Sequence, residues 1–197
     1  MFRYYTLSSW MIGTFWFLCR CVFPKNPNIA QNIPLIVTNQ IIQSVGLIYS
    51  SSMFATDLYP DSLQTVITHL SCFVWIEEFL FYYLHRILHN RFIYNHIHHI
   101  HHRYRISYAD VALYTHPLEH IVCNGFPVLV GPVILQSDFT TLSLWLTLVT
   151  VNACWTHSGT NLEEIHDIHH KNSTANYGVL GLMDQRHGTL LSRVFCD

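Results

Sequence analysis

The sequence predicts an all-α membrane protein, with about four transmembrane helices in two hairpins and a cytosolic, histidine-rich helical cap. Two features of the composition predict this class: half of the 197 residues are apolar, and only 11% are charged, against about a quarter in an ordinary soluble domain. A third observation is a series of apolar stretches, each close in length to the roughly 20 residues that a helix needs to cross the hydrocarbon of a membrane. A formal charge of −2 supplies no basic surface, so we expect no nucleic-acid partner.

The apolar stretches set the order of the predicted helices. They lie at 7–23, 33–54, 63–84, 120–136 and 139–155. The first contains Arg20 and is compatible with a short span, an interfacial anchor or a signal-anchor. We therefore assign residues 1–34 to a membrane-associated segment and residues 35–197 to the main domain. The third contains Glu77 and Glu78, which predict a polar cavity because lipid does not accommodate charged carboxylates.

Charges in the connections predict the orientation of the two hairpins. The turns "ATDLYPDS" at 55–62 and "QSD" at 136–138 contain aspartate but no lysine or arginine. Basic residues beyond position 25 flank the histidines instead: Arg86, Arg91, Arg103, Arg105, Lys171, Arg186 and Arg193. Because cytoplasmic segments are enriched in basic residues, we expect the acidic turns in the lumen and the histidine-rich segments in the cytosol.

Histidines recur at helical spacing in three segments. These are His85 and His89, then His98, His101 and His102, and finally His166, His169 and His170. A spacing of three or four residues places side chains on one face of a helix. Imidazole binds iron, zinc, copper and nickel, and eight or more nitrogen donors exceed the four ligands of one zinc ion. The three segments therefore predict a site for two metal ions.

Two further histidines return to the membrane depth of the three segments. His157, in "WTHSG", follows the fifth apolar stretch, and His116, in "YTHPLEH", precedes the fourth, so both are candidate ligands. The remaining histidines are interpreted as ordinary buried, solvated or hydrogen-bonded side chains: His69, His96, His99, His120 and His187.

Four carboxylates lie close to these histidines in the sequence. Glu77 and Glu78 precede His85 by two helical turns, Glu119 follows His116, and Asp167 lies within "HDIHH". A metal-bound histidine usually donates its other ring N–H to a carboxylate or carbonyl, so all four are candidate partners of ligands. For Glu119, a simple charge on a helix surface is an equal alternative.

Several motifs in combination resemble one family. They are "EEFLFYYLHRILH", "HHIHH", "YTHPLEH", "HSG", "HDIHH" and "NYGVLGLMDQRHGT", and over roughly residues 35–190 the chain is similar to the fatty acid hydroxylase/sterol desaturase superfamily of membrane di-iron oxygenases. The resemblance implies a four-helix anchor in the endoplasmic reticulum and a cytosolic cap in which the ten candidate histidines hold two irons. It also implies dioxygen as oxidant, electrons from NAD(P)H, usually through cytochrome b5, and a lipid substrate, foremost a 4-methylsterol.

Two departures from the family pattern keep other hypotheses open. Methylsterol oxidases carry a histidine where this chain has Phe81, and only eight residues separate His157 from His166. We expect Asn161 and Glu164 to cap a helix from Leu162 to Lys171, which leaves the last cluster able to bind metal with reduced activity.

The alternatives are a fatty acyl lipid hydroxylase, a regulatory paralogue with a weakened site, and a membrane zinc-binding or metal-transport protein. The transporter would need ligands in the middle of several spans, where only His69 lies.

Overall fold

The computed structural model describes residues 2–50, 57–105, 107–160 and 165–191, and these residues form helices and turns without a strand. The α-helices are α1 (Phe2–Phe17), α2 (Ile29–Ser50), α3 (Leu63–Leu88), α4 (Arg91–His96), α5 (Pro117–Glu119), α6 (Phe126–Ile134), α7 (Phe139–Thr156), α8 (Ile165–Lys171) and α9 (Leu182–His187). Wider π-helical turns cover Leu18–Val22 and His120–Gly125, and tighter 3-10 helices cover His98–Arg103 and Ala109–Leu113. The predicted helical class is therefore confirmed, whereas the predicted capping of a helix at Asn161 lies outside the described residues.

Two helical segments of the described chain are long and apolar enough to cross a membrane. They are Ile29–Ser50 and Pro117–Ile134, and they coincide with the second and fourth predicted stretches. The third and fifth stretches also form long helices, α3 and α7. The arrangement of four spans and a cytosolic cap stays a prediction.

The two acidic turns lie against each other at one end of the molecule. The backbone N–H of Phe139 donates to the Asp57 carbonyl at 2.8 Å, and the Thr140 hydroxyl donates to the Leu58 carbonyl at 2.7 Å. Asp138 also caps α7, because its carboxylate accepts from the N–H three residues later. The aspartate that was used to predict topology thus also starts a helix.

The helices enclose a space instead of forming two independent hairpins. α3 packs mainly against α6, while α1 packs against α2 and α7. A Cβ atom added at Gly131 of α6 would lie 2.6 Å from Cδ1 of Phe73 in α3. Glycine is therefore what allows these two helices to approach so closely. The histidine-bearing ends of α3 and α7 lie at the end of the molecule opposite the acidic turns.

Candidate metal centre

Five histidines from separate segments converge into a first group: His85, His89, His98, His102 and His169. The first two come from the end of α3, the next two from the 3-10 helix His98–Arg103, and the last from α8. Local helical spacing brings neighbours in the sequence together, and His169 of α8, which packs against α7, completes the set.

The Nε2 atoms of four of these rings form a closed ring of contacts. The Nε2–Nε2 distances are 3.0 Å from His98 to His89, 3.0 Å from His89 to His169, 3.1 Å from His169 to His102, and 3.1 Å from His102 to His98. The Nε2 atom of His85 lies 3.1 Å from that of His98. Were the four atoms coplanar, their centre would lie about 2.1–2.2 Å from each, close to a typical metal–imidazole distance of about 2.0–2.1 Å.

The partners of the other ring nitrogens show that the contact between His85 and His98 is not a hydrogen bond. Nδ1 of His85 donates to the Tyr177 carbonyl at 2.8 Å, and Nδ1 of His169 donates to the Ala175 carbonyl at 2.5 Å. Nδ1 of His98 donates to Glu119 at 2.9 Å. A neutral imidazole carries one proton, so the Nε2 atoms of all three rings carry lone pairs, and those of His85 and His98 face each other at 3.1 Å. A bound cation turns this repulsive arrangement into a favourable one, and the donor set therefore fits a metal ion.

A second group contains four buried histidines: His101, His157, His166 and His170. Nδ1 of His157 donates to the Ala153 carbonyl of its own helix at 2.8 Å, and its Nε2 atom lies 3.3 Å from that of His101. The rings of His157 and His166 are 4.4 Å apart between centroids. The short link between these two residues therefore does not displace the last histidine segment.

The two later histidine segments each serve both groups. His98 and His102 enter the first group while His101 enters the second, and His169 enters the first while its neighbours His166 and His170 enter the second. The sequence had predicted that the histidines of each segment lie on one face of a helix. In the structure the segments run between the two groups, which explains why the rings of His102 and His170 lie only 4.8 Å apart.

Burial keeps the imidazoles in the neutral, metal-binding form. Removal from water, reinforced by neighbouring imidazoles, lowers the pKa of His98, His101, His102, His166 and His170 well below the usual value. The same burial lowers the pKa of His157 and His169 to about 4, and that of His89 to about 2. Neutral imidazole is the form that binds metals.

His116, the tenth candidate ligand, lies outside both groups. Its Nδ1 atom accepts the backbone N–H of Leu118 at 3.1 Å and caps α5. The proline that follows it occupies the first position of that helix, where proline is favoured. The sequence "THPLE" therefore carried the signal of a helix start as well as that of a ligand.

Two of the candidate carboxylates connect directly to the histidine segments. Glu119 is 2% exposed, and one of its oxygens accepts the N–H of His98, as expected for a carboxylate that orients a ligand. Asp167 accepts the backbone N–H of Gly159 at 3.2 Å. It thereby ties the "HSG" turn to α8.

The other two carboxylates, Glu77 and Glu78, were expected to be hydrogen-bond partners of the histidines but have different surroundings. Glu78 is fully buried, and its oxygens accept the backbone N–H groups of Val179, Leu180 and Met183 at 2.8–2.9 Å. Its effect on His85 is indirect, through the turn that carries the Tyr177 carbonyl. Glu77 lies on the wall of a cavity.

The residues that sequence reasoning missed lie in the C-terminal turn. Asp184 accepts the N–H groups of Tyr177 and Gly178 and the Thr189 hydroxyl. This places the carbonyls of Ala175 and Tyr177, which orient two ligands of the first group. The motif "NYGVLGLMDQRHGT" marked the segment, but backbone carbonyls leave no residue-type signal in a sequence.

A cavity of about 520 Å³ opens onto both groups. Its walls come from α1, α2, α3, α6 and α7 and are mainly apolar, and it is bordered by His85 and His98 of the first group and His101, His157 and His166 of the second. Phe81 is also part of the wall. An apolar molecule in this cavity would thus lie against histidines of both groups.

Comparison with known proteins places this arrangement in a family. The model of the fatty acid hydroxylase family matches residues 70–189, which include all nine converging histidines. The chain belongs to the fatty acid hydroxylase family. No solved structure matches it significantly.

The relatives of this chain are named for several activities. The human "Fatty acid hydroxylase domain-containing protein 2" is 40% identical over 84% of this chain and 54% of its own length. A "Putative methylsterol monooxygenase" of Dictyostelium discoideum is 32% identical over 65% of the chain and 52% of its own length. A "Very-long-chain aldehyde decarbonylase" of Oryza sativa is 30% identical over 54% of the chain and 44% of its own length. The chain spans about half the length of these curated relatives.

Proposed function

We propose that this chain is a membrane di-iron oxygenase that uses dioxygen to hydroxylate a C–H bond of a lipid, foremost a 4-methylsterol. The observation that carries the proposal is the convergence of imidazole lone pairs beside an apolar cavity. Nine histidines would hold the metals: His85, His89, His98, His102 and His169 on one side, and His101, His157, His166 and His170 on the other. When bound, two irons supply the activation of dioxygen that protein side chains alone lack.

The protein's own contribution is orientation and exclusion of water. The carbonyls of Ala175 and Tyr177 and the carboxylate of Glu119 keep protons on Nδ1, so that Nε2 faces the metals. The apolar cavity walls keep water from the site and hold a lipid carbon against the histidines. Such fixed positioning of metals and substrate is the part of oxygen chemistry that the protein controls.

A sterol is proposed because a methylsterol monooxygenase is among the relatives and because the cavity suits a bulky apolar body. By the same family relationship, NAD(P)H supplies the electrons through cytochrome b5 or its reductase. The site of action is the endoplasmic reticulum membrane, with residues 1–34 membrane-associated and residues 35–197 forming the catalytic domain. A fatty acyl lipid is the alternative substrate.

A regulatory paralogue without activity is less well supported. That hypothesis rested on the short connection before His166, yet His157 and His166 are adjacent, and nine histidines converge. An assembled donor set is what an active site requires.

Metal and product analysis of the purified chain tests the function. The protein is extracted from membranes, analysed for iron, and supplied with cytochrome b5, its reductase, NAD(P)H and either a methylsterol or a long-chain acyl lipid. We expect close to two irons per chain and a hydroxylated sterol that forms only with dioxygen. Oxidation of the acyl lipid alone would replace the sterol with the alternative substrate, and an iron-free, inactive protein would favour the regulatory paralogue.

Tags inserted into the full chain test the proposed topology. A glycosylation acceptor in the turn at 55–62 should be modified in the lumen, whereas tags beside Arg103 and after Arg193 should be accessible from the cytosol. Opposite sidedness at any of the three positions would contradict the shared cytosolic cap.

A further inference from the structure

Apart from the histidines of the two groups and Glu119, two residues of the cavity wall each have a buried polar atom without a hydrogen-bond partner among the described residues. These atoms are Nε2 of Gln40, in α2, and Nδ1 of His120, at the start of the π-helical turn His120–Gly125. Gln40 is 5% exposed and His120 is 4% exposed, and both side chains line the cavity. A buried polar group without a partner is costly. The presence of these two groups in a mainly apolar cavity therefore indicates that a bound molecule satisfies their hydrogen bonds.

The orientation of the Gln40 amide is set from its other end. The indole N–H of Trp16 donates to Oε1 of Gln40 at 3.2 Å. Because an N–H needs an acceptor, this contact assigns oxygen to that position and leaves the NH₂ group as the free end. Gln40 therefore presents a hydrogen-bond donor.

The π-helical turn that begins at His120 packs against α2, the helix that carries Gln40. The His120 ring forms a hydrogen bond with the backbone of Asn39, the residue that precedes Gln40 in α2. When one ring nitrogen donates to a backbone carbonyl, the other nitrogen of a neutral imidazole carries a lone pair. Nδ1 of His120 is then an acceptor in the same cavity as the donor of Gln40.

We propose that Gln40 and His120 form a binding site for the hydroxyl group of an otherwise apolar lipid. The hydroxyl oxygen accepts from Nε2 of Gln40, and the hydroxyl proton is donated to Nδ1 of His120. A ketone or an ether satisfies only the donor, and a hydrocarbon satisfies neither group. The inference rests on the proposed function, because the lipid bound here is the one whose C–H bond is oxidised.

The position of this pair restricts which carbon is oxidised. His120 directly follows Glu119, whose carboxylate holds His98 of the first group. A hydroxyl held by His120 is therefore anchored near the metal centre and not at the far end of the cavity. The oxidised carbon accordingly lies within a few bonds of the hydroxyl-bearing carbon.

Binding of matched probes to the iron-loaded full chain tests the inference. The first probe pair is cholestanol and cholestane, and the second is hexadecanol and hexadecane, so each pair differs by one hydroxyl and the pairs distinguish a sterol body from an acyl chain. We expect the alcohol of the preferred pair to bind at least about tenfold more tightly than its hydrocarbon. In Gln40→Met and His120→Phe, this preference should fall to about threefold or less.

Gln43→Met is the matched control. Gln43 lies one turn further along α2 and lines the same cavity, but its amide already lies 4.0 Å from the Met11 sulfur, so the preference for the alcohol should persist. Iron content of each variant shows whether it has folded, and any variant that has lost iron is replaced by Gln40→Leu or His120→Leu.

Equal binding of alcohol and hydrocarbon to the unmodified chain would overturn the inference, as would a preference that survives both substitutions. The proposed function fails separately: an alcohol that binds selectively but is never oxidised refutes the oxygenase while the hydroxyl site stands. Oxidation of both alcohol and hydrocarbon without preference refutes the hydroxyl site while the oxygenase stands.

Discussion

The two histidine groups use the same sequence segments but are held in different ways. In the first group, the carbonyls of Ala175 and Tyr177 and the carboxylate of Glu119 each fix one ring from outside. In the second, the corresponding bond of His157 goes to its own helix, and neither ring nitrogen of His170 has a hydrogen-bond partner in the part of the chain that the structure describes. The difference indicates that the first group is oriented by a surrounding layer of acceptors, whereas the second depends more on the packing of α7 and α8.

The largest expected effect comes from removing one ligand of each group at once. In His101→Ala/His102→Ala, both groups lose a donor that alanine cannot replace, so iron and lipid oxidation should both be abolished. Metal analysis and a turnover assay measure the two losses. His187→Ala is the control, because His187 is exposed, bonds the Tyr83 hydroxyl and lies outside both groups. Equal loss in the control would mean that the converging histidines are not the metal site.

A selective effect on the first group is expected from Glu119→Leu. His98 then loses the acceptor that keeps its proton on Nδ1, and loss of such a partner typically weakens metal affinity about 10–100-fold. Titration of the iron-free protein with iron against a chelator should show one weakened and one nearly unchanged site. Glu77→Leu is the matched control, since this carboxylate lies on the cavity wall without a hydrogen bond to the histidines of the first group. Equal weakening of both sites in Glu119→Leu would contradict the comparison.

A smaller effect on the same group is expected from Gly178→Ala. The new Cβ would lie 2.7 Å from Glu78 and 2.9 Å from Asp184, so the turn that carries the Tyr177 carbonyl has to shift. We expect destabilisation of about 1–3 kcal/mol and weaker iron binding at the first group, measured by thermal unfolding and by the same titration.

Gly46→Ala serves as the reference for the Gly178 variant. A Cβ at Gly46 meets nothing within 4 Å, so its stability should be unchanged or slightly raised. A neutral Gly178→Ala variant would show that the C-terminal turn does not orient the first group.

The smallest effect is expected from lengthening the connection after Gly159. His157 and His166 already lie side by side, so insertion of a longer, proline-containing segment should leave iron per chain unchanged. Lipid turnover then reports whether the short link limits activity, as the sequence led us to expect. A gain of iron on insertion would mean that the second group is incompletely formed in the natural chain.

The convergence of the histidines could be predicted from the sequence to a large extent. Nine of the ten candidates converge because ligand spacing is a local property of helices: three or four residues bring side chains to one side. His116 was included because it returns to the same membrane depth, but a histidine before proline is also a helix cap, and membrane depth does not distinguish the two roles. The helical class likewise followed from composition and apolar stretches.

What the sequence determined by itself was the residue inventory: apolar helices, a set of imidazoles at helical spacing, and a few carboxylates nearby. Tertiary structure alone decided which histidine joins which group, because the division depends on how α3, α8 and the 3-10 helix pack. It also decided that Glu78 binds backbone amides, that the carbonyls of Ala175 and Tyr177 orient two rings of the first group, and that Gln40 and His120 both line one cavity. Backbone groups are alike at every position, and contacts between residues distant in the chain form only when the helices pack, so neither leaves a pattern that the sequence displays.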